Sequence, residues 1–366
     1  MINKMDIVTS RNKAIKNLPV QPQYFINQTT ILYGPSKSGK SVLIVDILHS
    51  LRNEVPLVFC ICPTEPQNQT YKGIIPGPAV RIRTDPDSLI PFLKEFWSRQ
   101  EIATAMHKKA SDINILTSLY RRIRNQNTDY KLQRIEGFLY KTISEIERKI
   151  RESDKNKEFY LKEKDRVKDE VNKIKISFFK SVIEPYRKQL ISNQSLSDDE
   201  KYTLKYLKIN PKAIIIFDDC ASQIKKIQGS ALFKNYVYMN RHVNVTTIIA
   251  AQDDTNIDTD IRKNAFQSIF CTAQVAHGYF NRPSNDFSRE ERKEIESINH
   301  AIFHGEGFKK LVYSRGSDDP FKYAEATRHF EKFKCGSGSF WHFCSKTEDD
   351  TATISKDNSF YDLFAQ

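Results

Sequence analysis

Short apolar runs recur at both ends of this chain, and a long polar middle separates them. Thr29-Thr30-Ile31-Leu32-Tyr33 is a β-branched and apolar strand candidate. Pro56 to Cys62 (PLVFCIC) is almost continuously apolar, as expected of a strand covered on both faces. Val80 to Arg83 is a weaker candidate, and Ala213 to Asp219 (AIIIFDD) a strong one. Val245 to Ala251 (VTTIIAA), Ser268 to Ala273 (SIFCTA) and Lys310 to Tyr313 follow. Ser41 to Leu51, with apolar residues at 42, 43, 45, 47 and 48, reads as a buried helix, and Phe233 to Arg241 as another. Buried strands alternating with helices predict a mostly parallel sheet with right-handed crossovers.

The middle follows a different period. Leu132, Ile135, Leu139, Ile143, Ile146 and Ile150 recur at three and four residues, one apolar face of a helix. Val167, Val171, Ile174 and Phe178 repeat the pattern, with the charge-rich stretch Arg151 to Arg166 between them. This predicts one or two long helices, or an antiparallel hairpin, closed by Pro185. The expected organisation is a first part of the core at 1–88, a helical insertion at 89–207 and a second part of the core at 208–334. A polar, weakly ordered tail is expected at 335–366, containing CGSGS and the acidic stretch Thr347 to Asp357.

Charge adds a partner class. The 366 residues carry a net charge of +12, which suits a polyanion, nucleic acid first. No run reaches the ~18 apolar residues of a membrane span, and Met1 to Lys16 has no hydrophobic signal region, so an intracellular protein is expected. The scattered cysteines, with Cys60, Cys62, Cys220 and Cys271 in or beside strand candidates, read as buried thiols of a reducing compartment. Cys335, His342 and Cys344 lack a second C-x-x-C pair, so no metal site is predicted there.

The chemistry concentrates at the strand ends. Gly34-Pro35-Ser36-Lys37-Ser38-Gly39-Lys40-Ser41 fits G-x-x-x-x-G-K-[ST], with a strand candidate before it and a helix candidate after it. Backbone N–H groups of such a loop and the helix N-terminus direct partial positive charge at a phosphate. Lys40 is placed on the β- and γ-phosphates of ATP, and the Ser41 hydroxyl on Mg²⁺. Ile214-Ile215-Ile216-Phe217-Asp218-Asp219 supplies two carboxylates at a strand end. Asp218 is assigned to Mg²⁺ and Asp219 to the attacking water as base. Gln252, ending the next apolar run, is a candidate for positioning that water. Arg241 and Arg262 are alternative arginine fingers. Glu65, between Pro63 and Pro66, could orient water, couple nucleotide state to the domain, or belong to a rigid turn. Lys225 and Lys226, behind Asp219, are candidates for DNA contact.

In linear order these segments are GPSKSGKS, CPTEPQN with Tyr71 and Ile75-Pro76, FDDC, MNRH, AAQD and DTDIRKN with FQSIF. The series resembles the genome-packaging ATPases of large double-stranded DNA viruses, the poxvirus-type branch of the FtsK–HerA superfamily. The resemblance covers about Thr30 to Cys271 outside the helical middle. It implies an α/β fold, a RecA-like P-loop NTPase core carrying a long helical insertion. It also implies a homo-oligomeric ring, ATP-driven movement of double-stranded DNA into a capsid, and capsid or portal-vertex proteins as further partners. The expected setting is host cytoplasm, viral factory or virion. Three positions depart from the family: Asn240 stands for glycine, Asp219 for the glutamate of wider relatives, and the insertion is long. A helicase or DNA-repair ATPase of the same core is the alternative, and a small-molecule P-loop kinase a more distant one.

Overall fold

A computed structural model describes residues 6–152, 157–192, 195–304, 307–327 and 332–346. Ten strands among them form one sheet. In chain order they are β1 (Ile7–Val8), β2 (Ala14–Asn17), β3 (Thr29–Tyr33), β4 (Leu57–Ile61), β5 (Val80–Arg81), β6 (Ala213–Phe217), β7 (Val245–Ala251), β8 (Gln267–Phe270), β9 (Lys309–Ser314) and β10 (Phe321–Glu325). Their order across the sheet is β1-β2-β10-β9-β8-β3-β7-β6-β4-β5. The block from β8 to β5 is wholly parallel, and β9 runs antiparallel to both β8 and β10. Every residue of β3, β4, β6, β7 and β8 is buried, which is why these runs lack polar alternation. This is the α/β, RecA-like core that the sequence predicts, and the chain also carries the expected long helical insertion.

Register fixes where the chemistry emerges. β7 lies between β3 and β6, with Tyr33 opposite Ala251 and Phe217 opposite Ile249. Gly34, Asp218 and Gln252 therefore leave three adjacent parallel strands at the same edge of the sheet. The N–H of Gly34 donates to Ala251 O at 3.1 Å, and that of Asp218 to Ile61 O at 2.9 Å, extending the ladder into the turns.

The chain divides into two compact units. One comprises the sheet and the described residues within 1–104 and 210–346, and the other the described residues within 105–209. The insertion thus begins later than the expected 89. Residues 89–104 belong with the sheet because Phe92 and Phe96 pack their rings 5.5 and 5.2 Å from that of Phe59 on β4. The second unit contains the antiparallel hairpin, Gln126–Glu152 with Lys157–Ile183. Lys164–Glu147 (2.5 Å) and Lys175–Glu136 (2.6 Å) bridge it in one register. A separate core of Leu116, Leu119, Tyr120, Phe179, Ile183 and Leu204 holds its base.

The tail differs from expectation. Cys335 N–H donates to Ile74 O (2.8 Å), Ser337 Oγ caps the helix Gly338–Ser345, and Phe340 is buried against Phe59. Aromatic side chains hidden among polar ones order this segment despite its composition. The acidic stretch Thr347 to Asp357 lies outside the described residues. All six cysteines are buried free thiols, and burial pushes Cys335 and Cys344 up to about 12. Among the described residues, no helix is long and apolar enough to cross a membrane.

Candidate nucleotide site

The loop Gly34–Ser41 owes its shape to its two glycines. A Cβ on Gly34 would stand 2.4 Å from Ser38 Oγ and 2.8 Å from Cys271 Cβ. Gly39 has φ +87, a left-handed conformation that glycine adopts without steric cost. The helix Lys40–Leu51 starts immediately after it, so the unpaired N–H groups of its first turn adjoin the loop.

Two buried lysines converge on the loop. Lys40, 6% exposed, donates from Nζ to Gly34 O (2.7 Å) and Pro35 O (3.1 Å). Lys310, on β9 and 5% exposed, donates from Nζ to Ser38 O (2.6 Å) and Cys271 O (3.5 Å). Neither forms an ion pair among the described residues. A buried ammonium satisfied only by carbonyls retains a desolvation cost that a bound anion would offset.

The acidic strand end sits beside the loop. Asp218 is 2% exposed, and its Oδ2 accepts from Ser41 Oγ (3.0 Å) and Tyr71 Oη (2.7 Å). Its Oδ1 is buried without a partner. Burial raises its pKa, and Asp219 adds to the rise, while hydrogen bonds from Tyr71 and Ser41 and the Lys40 charge oppose it. Ser41 and Asp218 fit a divalent cation: a hydroxyl and a carboxylate already touch, and one carboxylate oxygen is unused. Asp219 is exposed and takes φ +52, which an aspartate tolerates better than most residues. Its Oδ2 accepts from Thr64 Oγ1 (2.9 Å) and Asn68 Nδ2 (3.5 Å).

Ser36, Thr64, Asp219 and Gln252 line one cleft of about 650 Å³. It is polar, open to solvent at the strand ends, and large enough for a nucleotide. Lys225 lines the same cleft, whereas Lys226 is not among its lining residues. Glu65 is not among them either. Its Oε1 accepts the Tyr71 N–H at 2.8 Å, so it holds the turn that places Tyr71 on Asp218. Burial raises the Glu65 pKa, against the pull of the backbone N–H groups of Tyr71, Thr70 and Lys72.

The two arginines separate. Arg262 is 5% exposed and pairs with Asp254, and its Nη2 donates to Thr259 Oγ1 at 2.7 Å. Arg282 Nε joins the same carboxylate at 2.5 Å. This guanidinium is engaged within its own subunit by Asp254 and Thr259, a structural role that the expectation of Arg262 as an alternative finger did not include. Arg241 is exposed on the turn Asn240–Val243, ahead of β7. β7 separates it from Gln252 by about 20 Å at ~3.3 Å per residue, so it cannot reach its own cleft. Asn240, the departure from glycine, donates from Nδ2 to Val245 O at 3.0 Å and closes that turn.

Sequence reasoning missed Thr64, Asn68 and Lys310 as site residues and gave Tyr71 no role. Thr64 and Asn68 flank Glu65 at a strand end, which was their available signal. Lys310 had none, because only the fold brings β9 under the loop.

No protein-family model matches the chain. It is similar to B354L, an uncharacterized protein of African swine fever virus. The isolate Pig/Kenya/KEN-50/1950 protein is 29% identical over 371 residues, 98% of this chain and 99% of that one. The isolate Tick/Malawi/Lil 20-1/1983 protein is 29% identical over the same shares. Among solved structures, the genome packaging NTPase B204 from Sulfolobus turreted icosahedral virus 2 with ATP-gammaS is 13% identical. Its TM-score is 0.33, and the match covers 81% of this chain and 95% of that one. The plasmid coupling protein TrwB with GDPNP is 12% identical with a TM-score of 0.37, covering 89% and 94%. At these scores the fold assignment rests on the sheet order and loop geometry above.

Proposed function

We propose that this chain is an ATP-hydrolysing motor that translocates double-stranded DNA, packaging a viral genome into a capsid. The observation that carries the reading is one edge of a parallel sheet at which Lys40 bonds Gly34 O, Ser41 bonds Asp218, and Asp219 and Gln252 line the adjoining cleft. The net charge of +12 supports a polyanionic track, and similarity to a viral protein supports a viral setting.

In this reading the loop N–H groups and Lys40 bind the ATP phosphates. Ser41 and Asp218 are the residues that would hold Mg²⁺, which when bound supplies charge neutralisation across the β- and γ-phosphates. Tyr71, kept neutral by burial, donates to Asp218 and fixes that carboxylate. Gln252 orients a water, and Asp219 accepts its proton as the oxygen attacks the γ-phosphorus. The bond to the β,γ-bridging oxygen breaks, giving ADP and phosphate. Thr64 and Asn68 hold Asp219 in place for that step. Arg241 reaches the γ-phosphate of a neighbouring subunit in a homo-oligomeric ring. Capsid or portal-vertex proteins are the further partners of a packaging motor.

The test is ATP turnover by the purified chain with and without duplex DNA. Turnover stimulated by duplex is expected. No turnover overturns the enzyme assignment, and turnover indifferent to duplex overturns the motor.

A further inference from the structure

Positive charge is unevenly distributed in this chain. Residues 105–209 carry 25 Lys and Arg against 16 Asp and Glu, nine of the net +12 in under a third of the length. Within that unit the helix Gln126–Glu152 packs one face on its hairpin partner and leaves the other bare. At 3.6 residues per turn, Tyr130, Lys131, Arg134, Phe138 and Lys141 fall within an arc of about 100° and about 16 Å of axis. All five are exposed, Tyr130 by 60% and Phe138 by 67%.

The three cations of this face have no carboxylate partner among the described residues. Nearby ion pairs go to other side chains: Arg122 with Glu200, Lys175 with Glu136, and Arg148 with Glu152. Asp129, beside Tyr130, is bonded by Tyr120 Oη at 2.7 Å. The first carboxylate on the face is Glu145, beyond Lys141. Arg121 and Arg124, exposed ahead of the helix, extend the same cationic run.

Two exposed rings set among unpaired cations suit one chemistry best. Cations alone would serve any polyanion. A protein interface core gathers its aromatics into a continuous patch and is depleted in lysine. Rings interleaved with Lys and Arg offer stacking platforms along a charged track, which unpaired bases on a phosphodiester strand can use and stacked duplex bases cannot. We propose that the Tyr130–Lys141 face of the helical unit binds single-stranded nucleic acid, with its cations on phosphates and its rings on bases. This inference draws nothing from the ATPase reading.

The experiment measures binding of a labelled oligothymidylate and a labelled duplex to the full-length chain by fluorescence anisotropy, without ATP. Two double variants are compared with the parent after their thermal unfolding has been matched: Tyr130→Ala with Phe138→Ala, and Arg134→Glu with Lys141→Glu. The ring variant is expected to weaken oligothymidylate binding at least fivefold per ring and to leave duplex binding unchanged. The charge variant is expected to weaken single-strand binding and flatten its salt dependence by about 0.7 per lost phosphate contact. Unchanged binding in both variants overturns the proposal. Loss in the charge variant alone also overturns it, because the face is then a general polyanion surface. Loss of ATP turnover in the parent protein would leave this test unaffected.

Discussion

Replacing Lys310 with methionine removes an ammonium from beneath the phosphate loop while keeping most of the aliphatic stem. The group is buried, unpaired by any carboxylate among the described residues, and bonded to Ser38 O at 2.6 Å. The interaction of such an ammonium with a bound phosphate is on the order of one charged hydrogen bond, about 1.5–3 kcal/mol. At 1.4 kcal/mol per decade, its loss corresponds to roughly 10- to 150-fold weaker ATP binding. Without nucleotide the variant loses a desolvated charge together with its carbonyl bonds, so little net change in stability is expected. The assay is competition of ATP, ADP and AMP against a fluorescent nucleotide, beside a thermal melt without nucleotide. Charge beneath the loop predicts a loss graded with phosphate number, greatest for ATP and least for AMP. Equal losses for all three would mean that the variant has collapsed the loop, and ATP binding within twofold of the parent would refute the argument.

Lys40→Ala is expected to fold and to lose ATP turnover, whereas Asp219→Asn should retain ATP binding and hydrolyse it about 10²–10⁴-fold more slowly; single-turnover kinetics with a binding assay separate the two. Arg241→Ala should be inactive alone and partly rescued by mixing with Lys40→Ala subunits, since each lesion can then occupy a different interface; no rescue at any ratio removes Arg241 as a finger in trans. The Asp218 pKa is raised in the folded chain, so the folded state binds more protons than the unfolded one and its ionisation lowers stability as pH rises through the folded value. Asp218→Asn should therefore melt higher than the parent at neutral pH without nucleotide, with the gain fading below the ordinary aspartate range near pH ~3.9. A pH-independent difference in melts would contradict the burial argument.

The buried strands were legible because both faces are covered, so PLVFCIC, AIIIFDD and VTTIIAA carry almost no polar interruption. β10, with Lys322 and Glu325 partly exposed, leaves no comparable run, and the paired two- and four-residue strands β1 and β2 are too short to declare themselves. The loop and the acidic pair could be placed because strand, turn and helix are local in sequence. Lys310 and Asp254 could not be. Their partners lie 272 residues away for Lys310, and 8 and 28 for Asp254, and only the packed fold decides them. The same contacts engage Arg262 inside its own subunit, and nothing in the sequence around Arg262 announces a buried aspartate. Glu65 follows the apolar run PLVFCIC closely in sequence, but its side chain turns onto the Tyr71 N–H, a choice made by the turn that follows it.

The turn after β4 has a mechanical consequence. Tyr71 is tied by its hydroxyl to Asp218 and by its backbone N–H to Glu65, and three residues on, Ile74 O receives the Cys335 N–H. The Cys335 segment leads into the helix Gly338–Ser345, whose Phe340 is wedged against β4. A shift of the Asp218 carboxylate must either break the Tyr71 bond or pull the turn with it. If the turn moves, Ile74 moves, and the displacement is handed to the Cys335 segment and the helix that follows it. The pieces form a short crank, with its handle at Asp218 and its working end on that helix.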